Sequence, residues 1–209
     1  EDVLYASDYG VPQNRNRFIM VGNRLGINFE FPQKFNYKVS VEDAISDLPS
    51  LNNGDNIYEL SYSKKNSEIS DYAKLMRKNS TKSLQNFVSK NKDYVLERYK
   101  HINQGQNWKA IPDELMQNYA NKNNCHSGIY KRLHSKLPSV VISNYRKNML
   151  IHPFENRGLS VREAARLQSF PDNFIFKLFP FLFLFNYILF LYSFNINYNF
   201  YFFSYSNTT

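Results

Sequence analysis

The spacing of apolar positions changes several times along the 209-residue chain, and each change predicts an element. The unbroken run Phe18-Ile19-Met20-Val21-Gly22 has the length and β-branched character of a strand buried on both faces, as in mostly parallel sheets. That run points to an α/β body. Ser40 with Asp43 forms a capping box for a short helix through Ala44, Ile45 and Leu48, stopped by Pro49. Asn52-Asn53-Gly54-Asp55 reads as a turn. From about 67 to 101 the apolar positions Tyr72, Leu75, Met76, Leu84, Phe87, Val88, Tyr94, Val95 and Leu96 follow helical spacing, with a break near Ser80-Thr81, so two helices are expected. Gly105, Pro112, Gly128 and Pro138 punctuate the next region, and Ser139-Val140-Val141-Ile142-Ser143 suits a short strand. Ser160 with Glu163 makes a second capping box, opening a helix over 161–169 that Pro171 closes.

After Lys177 the pattern gives way to Phe, Leu, Tyr, Ile, Asn and Ser, without a charge or a glycine up to Thr209. Residues 178–194 approach the ~20 apolar residues that cross a bilayer, with Lys177 on the cytoplasmic side. The same residue types are those of A/T-rich codons, as expected of a gene read past a frameshift, and the tail 178–209 is read as such a low-complexity segment rather than as a membrane span. The chain opens at Glu1 inside what reads as an ordered segment, with no basic and then apolar leader, and is expected to be a later part of a longer protein.

Charge narrows the class of partner. Lys and Arg number 26 against 18 Asp and Glu, for a net charge of +8, which favours a polyanion such as nucleic acid or an acidic membrane surface. Between Leu115 and Phe154 there is no Asp or Glu, while Lys122, Lys131, Arg132, Lys136, Arg146 and Lys147 occur with His126, His134 and His152. Tyr119, Tyr130 and Tyr145 are interleaved. Such a stretch can neutralise phosphates and pack tyrosines on sugars or bases, or it can be a solvated basic face with structural tyrosines. The single cysteine, Cys125, excludes a disulfide framework and fits a reducing, cytoplasmic compartment. Cys125, His126 and His134 fall short of a metal site, which wants three or four ligands and usually paired cysteines, so no metal is expected.

Two further constellations can carry chemistry or packing. Arg15 and Arg17, two apart at the mouth of a strand, share a side and can present two rigid forks to one anionic or carbonyl-rich ligand, unless they are an ordinary polar lead-in. Arg162 and Arg166 are i,i+4 neighbours that repel unless an anion lies across them, and Glu163 can answer only one. With small Ala164 and Ala165 allowing close approach, this helix reads as a structural clasp of Arg162, Glu163 and Arg166.

Taken in order, these stretches resemble the DNA cytosine-5 methyltransferases. Leu4-Tyr5-Ala6-Ser7-Asp8-Tyr9-Gly10-Val11-Pro12-Gln13-Asn14-Arg15-Asn16-Arg17-Phe18 looks like the family's Gln-x-Arg-x-Arg block, the eighth of its ten motifs. His152-Pro153 and Arg157-Gly158-Leu159-Ser160-Val161-Arg162-Glu163-Ala164-Ala165-Arg166-Leu167-Gln168-Ser169-Phe170-Pro171-Asp172 look like the ninth. Between them, Gly105-Gln106-Asn107-Trp108-Lys109-Ala110-Ile111-Pro112 and Tyr130-Lys131-Arg132-Leu133 are similar to the variable target-recognition region of bacterial members.

The resemblance implies an α/β fold: the C-terminal part of a Rossmann-like catalytic domain at 1–38, a small irregular target-recognition domain at 39–150, and a returning helix at 151–177. It implies methyl transfer from S-adenosylmethionine to C5 of a cytosine flipped out of duplex DNA, within a bacterial restriction-modification system. By the same resemblance Arg17 would bond the cytosine O2, Arg15 would hold the catalytic loop and a phosphate, Gln13 would shape the turn, and the ninth block would clamp recognition region to catalytic domain. Lys131, Arg132, Tyr145, Arg146 and Lys147 are the expected DNA contacts. The family's nucleophilic thiolate lies in Pro-Cys and its acid in Glu-Asn-Val, and neither occurs here, since Cys125 follows Asn124. The glycine-rich cofactor motif and the tenth block are also missing, and Pro138-Ser139 leads to Val140-Val141-Ile142 where many relatives carry Thr-Leu or Thr-Ile. The chain is therefore expected to be inactive alone and to act with its missing N-terminal half, in trans, beside a cognate restriction endonuclease. The alternatives are a non-catalytic, sequence-specific DNA-binding remnant and, on the tail alone, a membrane-anchored protein.

Overall fold

The computed structural model describes residues 1–24, 26, 28–117, 128–143 and 150–176, together with the backbone of 201–205. The expectations placed on Tyr119, Lys122, Cys125, His126, Tyr145, Arg146, Lys147, Lys177 and the tail 178–209, apart from the backbone of 201–205, lie outside the described residues.

Strands β1 (Asp2–Tyr5) and β2 (Asn16–Gly22) pair antiparallel, Val3 opposite Phe18 and Leu4 opposite Arg17. The backbone of β5 (Tyr201–Tyr205) runs antiparallel along the other side of β2. The strand read from 18–22 is thus present, but in an antiparallel setting and with one buried side chain, Ile19. Period-two alternation explains the difference: Leu4 and Ile19 share the face packed by Tyr9, Val21 and Phe31. The other face carries Val3, Phe18 and Met20, which are exposed. An all-apolar run signals two buried faces only where the chain supplies cover for both.

Helix α1 (Val41–Ile45) begins at the predicted capping box, with Ser40 and Asp43 bonded reciprocally. The turn at 52–55 forms with Gly54 at φ 85. Helices α2 (Asp71–Arg77) and α3 (Asp93–Lys100) occupy the two ends of the segment read as helical. Between them, however, Ser83–Phe87 is strand β4, paired antiparallel with β3 (Asn56–Leu60). Leu84, Phe87 and Val88 have helical spacing in sequence, yet Gln85 takes φ 61, which no helix accommodates. Distant partners hold it: the Gln85 amide exchanges two hydrogen bonds with the backbone of Phe176, at 2.8 and 2.9 Å.

The strand expected at 139–143 reduces to one parallel bridge, Ser139 to Gln13. Its bonds are Ser139 N to Pro12 O at 2.9 Å and Asn14 N to Ser139 O at 2.8 Å. Helix α4 (Val161–Arg166) starts at the second predicted capping box and is shorter than read. Its end is fixed by Ser169 at φ 59 and by Phe170 N bonding back to Ala165 O.

Among the described residues two apolar clusters lie beyond residue 38. One joins Val41, Ala44, Ile45 and Leu48 to Leu133, Ile142, Leu150, Leu159 and Leu167. The other gathers Val95, Tyr99, Ile102, Ile111, Met116, Tyr130 and Ile151. Segments 39–150 and 151–176 therefore share a core, whereas the sheet of β1 and β2 has its own small one.

Candidate cytosine pocket and DNA interface

The turn between β1 and β2 builds the first candidate site. A 3-10 turn, Ala6–Tyr9, ends at Gly10 in the left-handed region, and Ala6 N bonds Arg15 O at 2.8 Å. This fold-back brings Gln13 and Arg15 to the start of β2, whose second residue is Arg17. Gln13 is fully buried, and neither end of its amide has a hydrogen-bond partner among the described residues. Arg15 precedes the strand and is buried at 5% exposure, while Arg17 is half-buried. Arg17 donates to Asn16 O at 2.7 Å, and burial lowers its guanidinium pKa somewhat. The two forks expected side by side are thus uneven, with Arg17 the one open to a ligand.

The basic window sorts into two kinds of residue. His134 and Lys136 are exposed, Lys136 meeting Glu42 at 2.9 Å, and half-buried Lys131 donates to the Gly105 carbonyl. Arg132 is different. At 5% exposure its five N–H donors all go to the protein: Tyr99 O, Ile102 O, His152 O, Glu155 O and Asn156 Oδ1. No donor remains for DNA, so this expected contact is corrected to a structural strut tying 99–102 to 152–156. Tyr130 is likewise fully buried, packed edge-on against Tyr99 with its hydroxyl receiving Arg98 at 2.9 Å.

The helix read as a clasp lies wholly inside. Arg162 donates to Leu84 O, Pro171 O and Phe174 O at 2.9–3.1 Å. Glu163 receives a bidentate Arg157 at 2.7 and 2.8 Å and the Ser160 N–H. Burial would raise the Glu163 carboxyl, but Arg157 outweighs it and holds it down to about 2. Arg166 grips Asp172 through two bonds of 2.6 Å and Asp47 at 3.0 Å, and also bonds Ala44 O. Burial opposes the Arg166 cation, but these two carboxylates raise its pKa. Arg77 reaches the same Asp47 at 2.7 Å, and Tyr62 donates to Asp172. Asp47, Arg77 and Tyr62 belong to this network although no local pattern marked them: Asp47 meets Arg77 30 residues on and Arg166 119 residues on, and Tyr62 meets Asp172 110 residues on.

Comparisons with known proteins decide the family. The family model for C-5 cytosine-specific DNA methylases matches residues 1–178. The chain belongs to the C-5 cytosine-specific DNA methylase family. It is 32% identical to the type II methyltransferase M.DdeI of Desulfomicrobium norvegicum, over 84% of this chain and 45% of that protein. To DNA (cytosine-5)-methyltransferase 3 of Arabidopsis thaliana it is 33% identical, over 66% of this chain and 10% of that protein. A structure assigned as a prophage-encoded DNA modification methyltransferase of E. coli shares the fold, with a TM-score of 0.54 at 22% identity, over 82% of this chain and 49% of that one. The chain spans less than half the length of the curated type II relatives it matches.

The family is one of α/β methyltransferases and implies S-adenosylmethionine as methyl donor. Among the described residues no site for that donor is formed. No two of the seven glycines lie closer than Gly22 and Gly26, so there is no Gly-x-Gly loop, and the buried carboxylates Asp47, Glu163 and Asp172 are committed to arginines. No helix among the described residues is long and apolar enough to cross a membrane.

Proposed function

We propose that this chain supplies the cytosine-pocket arginines and the target-recognition part of a DNA (cytosine-5-)-methyltransferase of a type II restriction-modification system. The observation that carries this reading is the bridge between Gln13 and Ser139. It ties the Gln-x-Arg-x-Arg block by backbone bonds to the recognition segment 128–143, so that a base held at Arg17 and a duplex read by that segment are positioned together.

In this reading residues 1–38 end the catalytic domain, 39–150 form the recognition domain and 151–177 clamp the two. Arg17 donates to the O2 of an extruded cytosine, Arg15 stiffens the turn behind it, and Gln13 shapes that turn at the bridge. Donors aimed at an oxygen that gains negative charge as the ring is attacked are worth far more in a dry pocket than in water. The attacking thiolate and the acid at N3 come from Pro-Cys and Glu-Asn-Val motifs that these 209 residues do not contain. Lys131, with Tyr145, Arg146 and Lys147, is assigned to DNA contact. Arg132 is not.

The test is tritium transfer from labelled S-adenosylmethionine to genomic DNA, with the chain alone and with the product of the upstream coding region. Transfer only in the mixture is expected. DNA binding without transfer in either would make the chain a recognition module, and transfer by the chain alone would overturn the assignment of the thiolate elsewhere.

A further inference from the structure

We propose that Lys34-Phe35-Asn36-Tyr37-Lys38 is a second DNA contact, outside the recognition region, that grips a strand of the duplex beside the extruded cytosine. The proposal rests on the methyltransferase reading above. Its grounds are three features that coincide on one short strap.

The first is an exposed aromatic pair. Phe35 and Tyr37 are 50% and 58% exposed, yet their rings stack at 5.4 Å and 13°. Single exposed apolar residues are ordinary, but a stacked pair turned outward is a prepared surface whose cost is recovered when another flat, partly apolar group covers it.

The second is charge. There is no Asp or Glu between Glu30 and Glu42, and Lys34 and Lys38 flank the rings. Both ammonium groups reach one carboxylate, Asp8, at 3.4 and 3.3 Å, and both side chains remain more than half exposed. Such surface pairs hold little energy and exchange readily for a phosphate. A purely apolar protein partner would have to desolvate two half-neutralised lysines, whereas a nucleic-acid strand offers phosphates to the lysines and sugar or base faces to the rings.

The third is placement. Phe35 N donates to Asp8 O at 2.8 Å, and the Phe35 ring lies so close to Gly10 that a Cβ there would sit 3.1 Å from it. Gly10 is thus needed for its φ of 79 and to seat the ring. The strap is anchored on the turn whose first residue, Ala6, bonds the Arg15 carbonyl. A strand held by the strap is therefore held by the same rigid turn that presents the pocket arginines.

The test is fluorescence anisotropy of the full chain with a labelled mixed-sequence duplex, intact or with one unpaired base, over a series of salt concentrations. For Lys34→Gln with Lys38→Gln, the log–log salt slope should fall in magnitude by roughly two, one phosphate per lysine. For Phe35→Leu with Tyr37→Leu, which keeps bulk on Gly10, the slope should hold while affinity for the duplex with the unpaired base drops roughly five-fold or more. Circular dichroism of each variant should match the parent. If the parent binds and both variants bind equally well, the strap is not a DNA contact and the methyltransferase reading stands. If the parent binds neither duplex, both fall together.

Discussion

Two pairs of arginines, Arg15 with Arg17 and Arg162 with Arg166, look alike as motifs and are opposite as chemistry. In the clasp, both side chains are fully buried, and their donors end on carbonyl groups or on Asp47 and Asp172. In the pocket, Arg17 is half-buried and bonds its neighbour's carbonyl, and fully buried Gln13 beside it has an amide without a partner among the described residues. The fold has consumed the donors of Arg162 and Arg166, whereas the Arg17 guanidinium stays half-buried and open to a ligand. Arg132 shows the value of this distinction: its sequence context is that of a DNA contact, and its five used donors place it with the clasp. Counting donors left over, rather than arginines in a window, separates framework from site.

The contrast breaks most decisively at Arg166. Arg166→Ala leaves buried Asp172 with Arg162 at 4.0 Å in place of two bonds of 2.6 Å, and leaves Asp47 with Arg77, a weakening of a buried ion pair that costs about 3–5 kcal/mol. In urea or guanidinium unfolding of the chain the midpoint should collapse or the variant should fail to fold. A loss below about 1 kcal/mol would mean that water reaches the clasp.

Arg17 should behave in the opposite way. Arg17→Ala is expected to leave stability within about 0.5 kcal/mol, as for a surface change. On the proposed function, methyl transfer by the chain mixed with the product of the upstream coding region should fall about 10²–10³-fold, the usual loss on removing one preorganised donor. Equal loss of stability and activity would return Arg17 to the framework.

Arg132→Ala sharpens the sorting. It should cost about 2–3 kcal/mol through carbonyl groups left without a charged donor. The salt slope of DNA binding should not change, because no phosphate contact is lost. A slope reduced by about one would restore Arg132 to the DNA interface.

What was legible in the sequence came from local physics. Both capping boxes, Ser40 with Asp43 and Ser160 with Glu163, close within three residues, so four positions suffice to read them. Strand β2 was legible as a strand, but the burial of its faces was not, because cover is supplied from elsewhere in the chain. Strand β4 was read as helix because Leu84, Phe87 and Val88 satisfy a 3.6 period, and what overrides it is Phe176, 91 residues on. The same range effect hid the clasp carboxylates: Asp47 looks like any acid near a helix end until Arg166, 119 residues later, meets it. The Gln-x-Arg-x-Arg and Arg-Glu-Ala-Ala-Arg blocks were legible because each is a compact run of unusual residues, and the family match spans both.

The smallest expected effect concerns His152, which sits at the clasp's edge with Nε2 3.8 Å from Glu163 and Nδ1 3.8 Å from Glu155. Burial lowers its pKa most; Glu163 and Glu155 oppose this, and Arg157 and Arg132 add to it. A histidine whose folded pKa lies below its unfolded value of about 6.5 contributes stability that is present above that value. As pH falls below about 6.5 the unfolded chain takes the proton first, so stability declines. Glu163, held down to about 2, adds a second decline once the unfolded carboxyl begins to protonate near pH 4.5. His152 Nδ1 accepts from the backbone N–H of Phe154 and Glu155, and an asparagine oxygen can replace that acceptor without titrating. His152→Asn should therefore flatten the stability curve between about pH 7 and 5.5 while keeping the decline below about pH 4.5. A variant with the parent's slope in the upper window would assign that slope to another group.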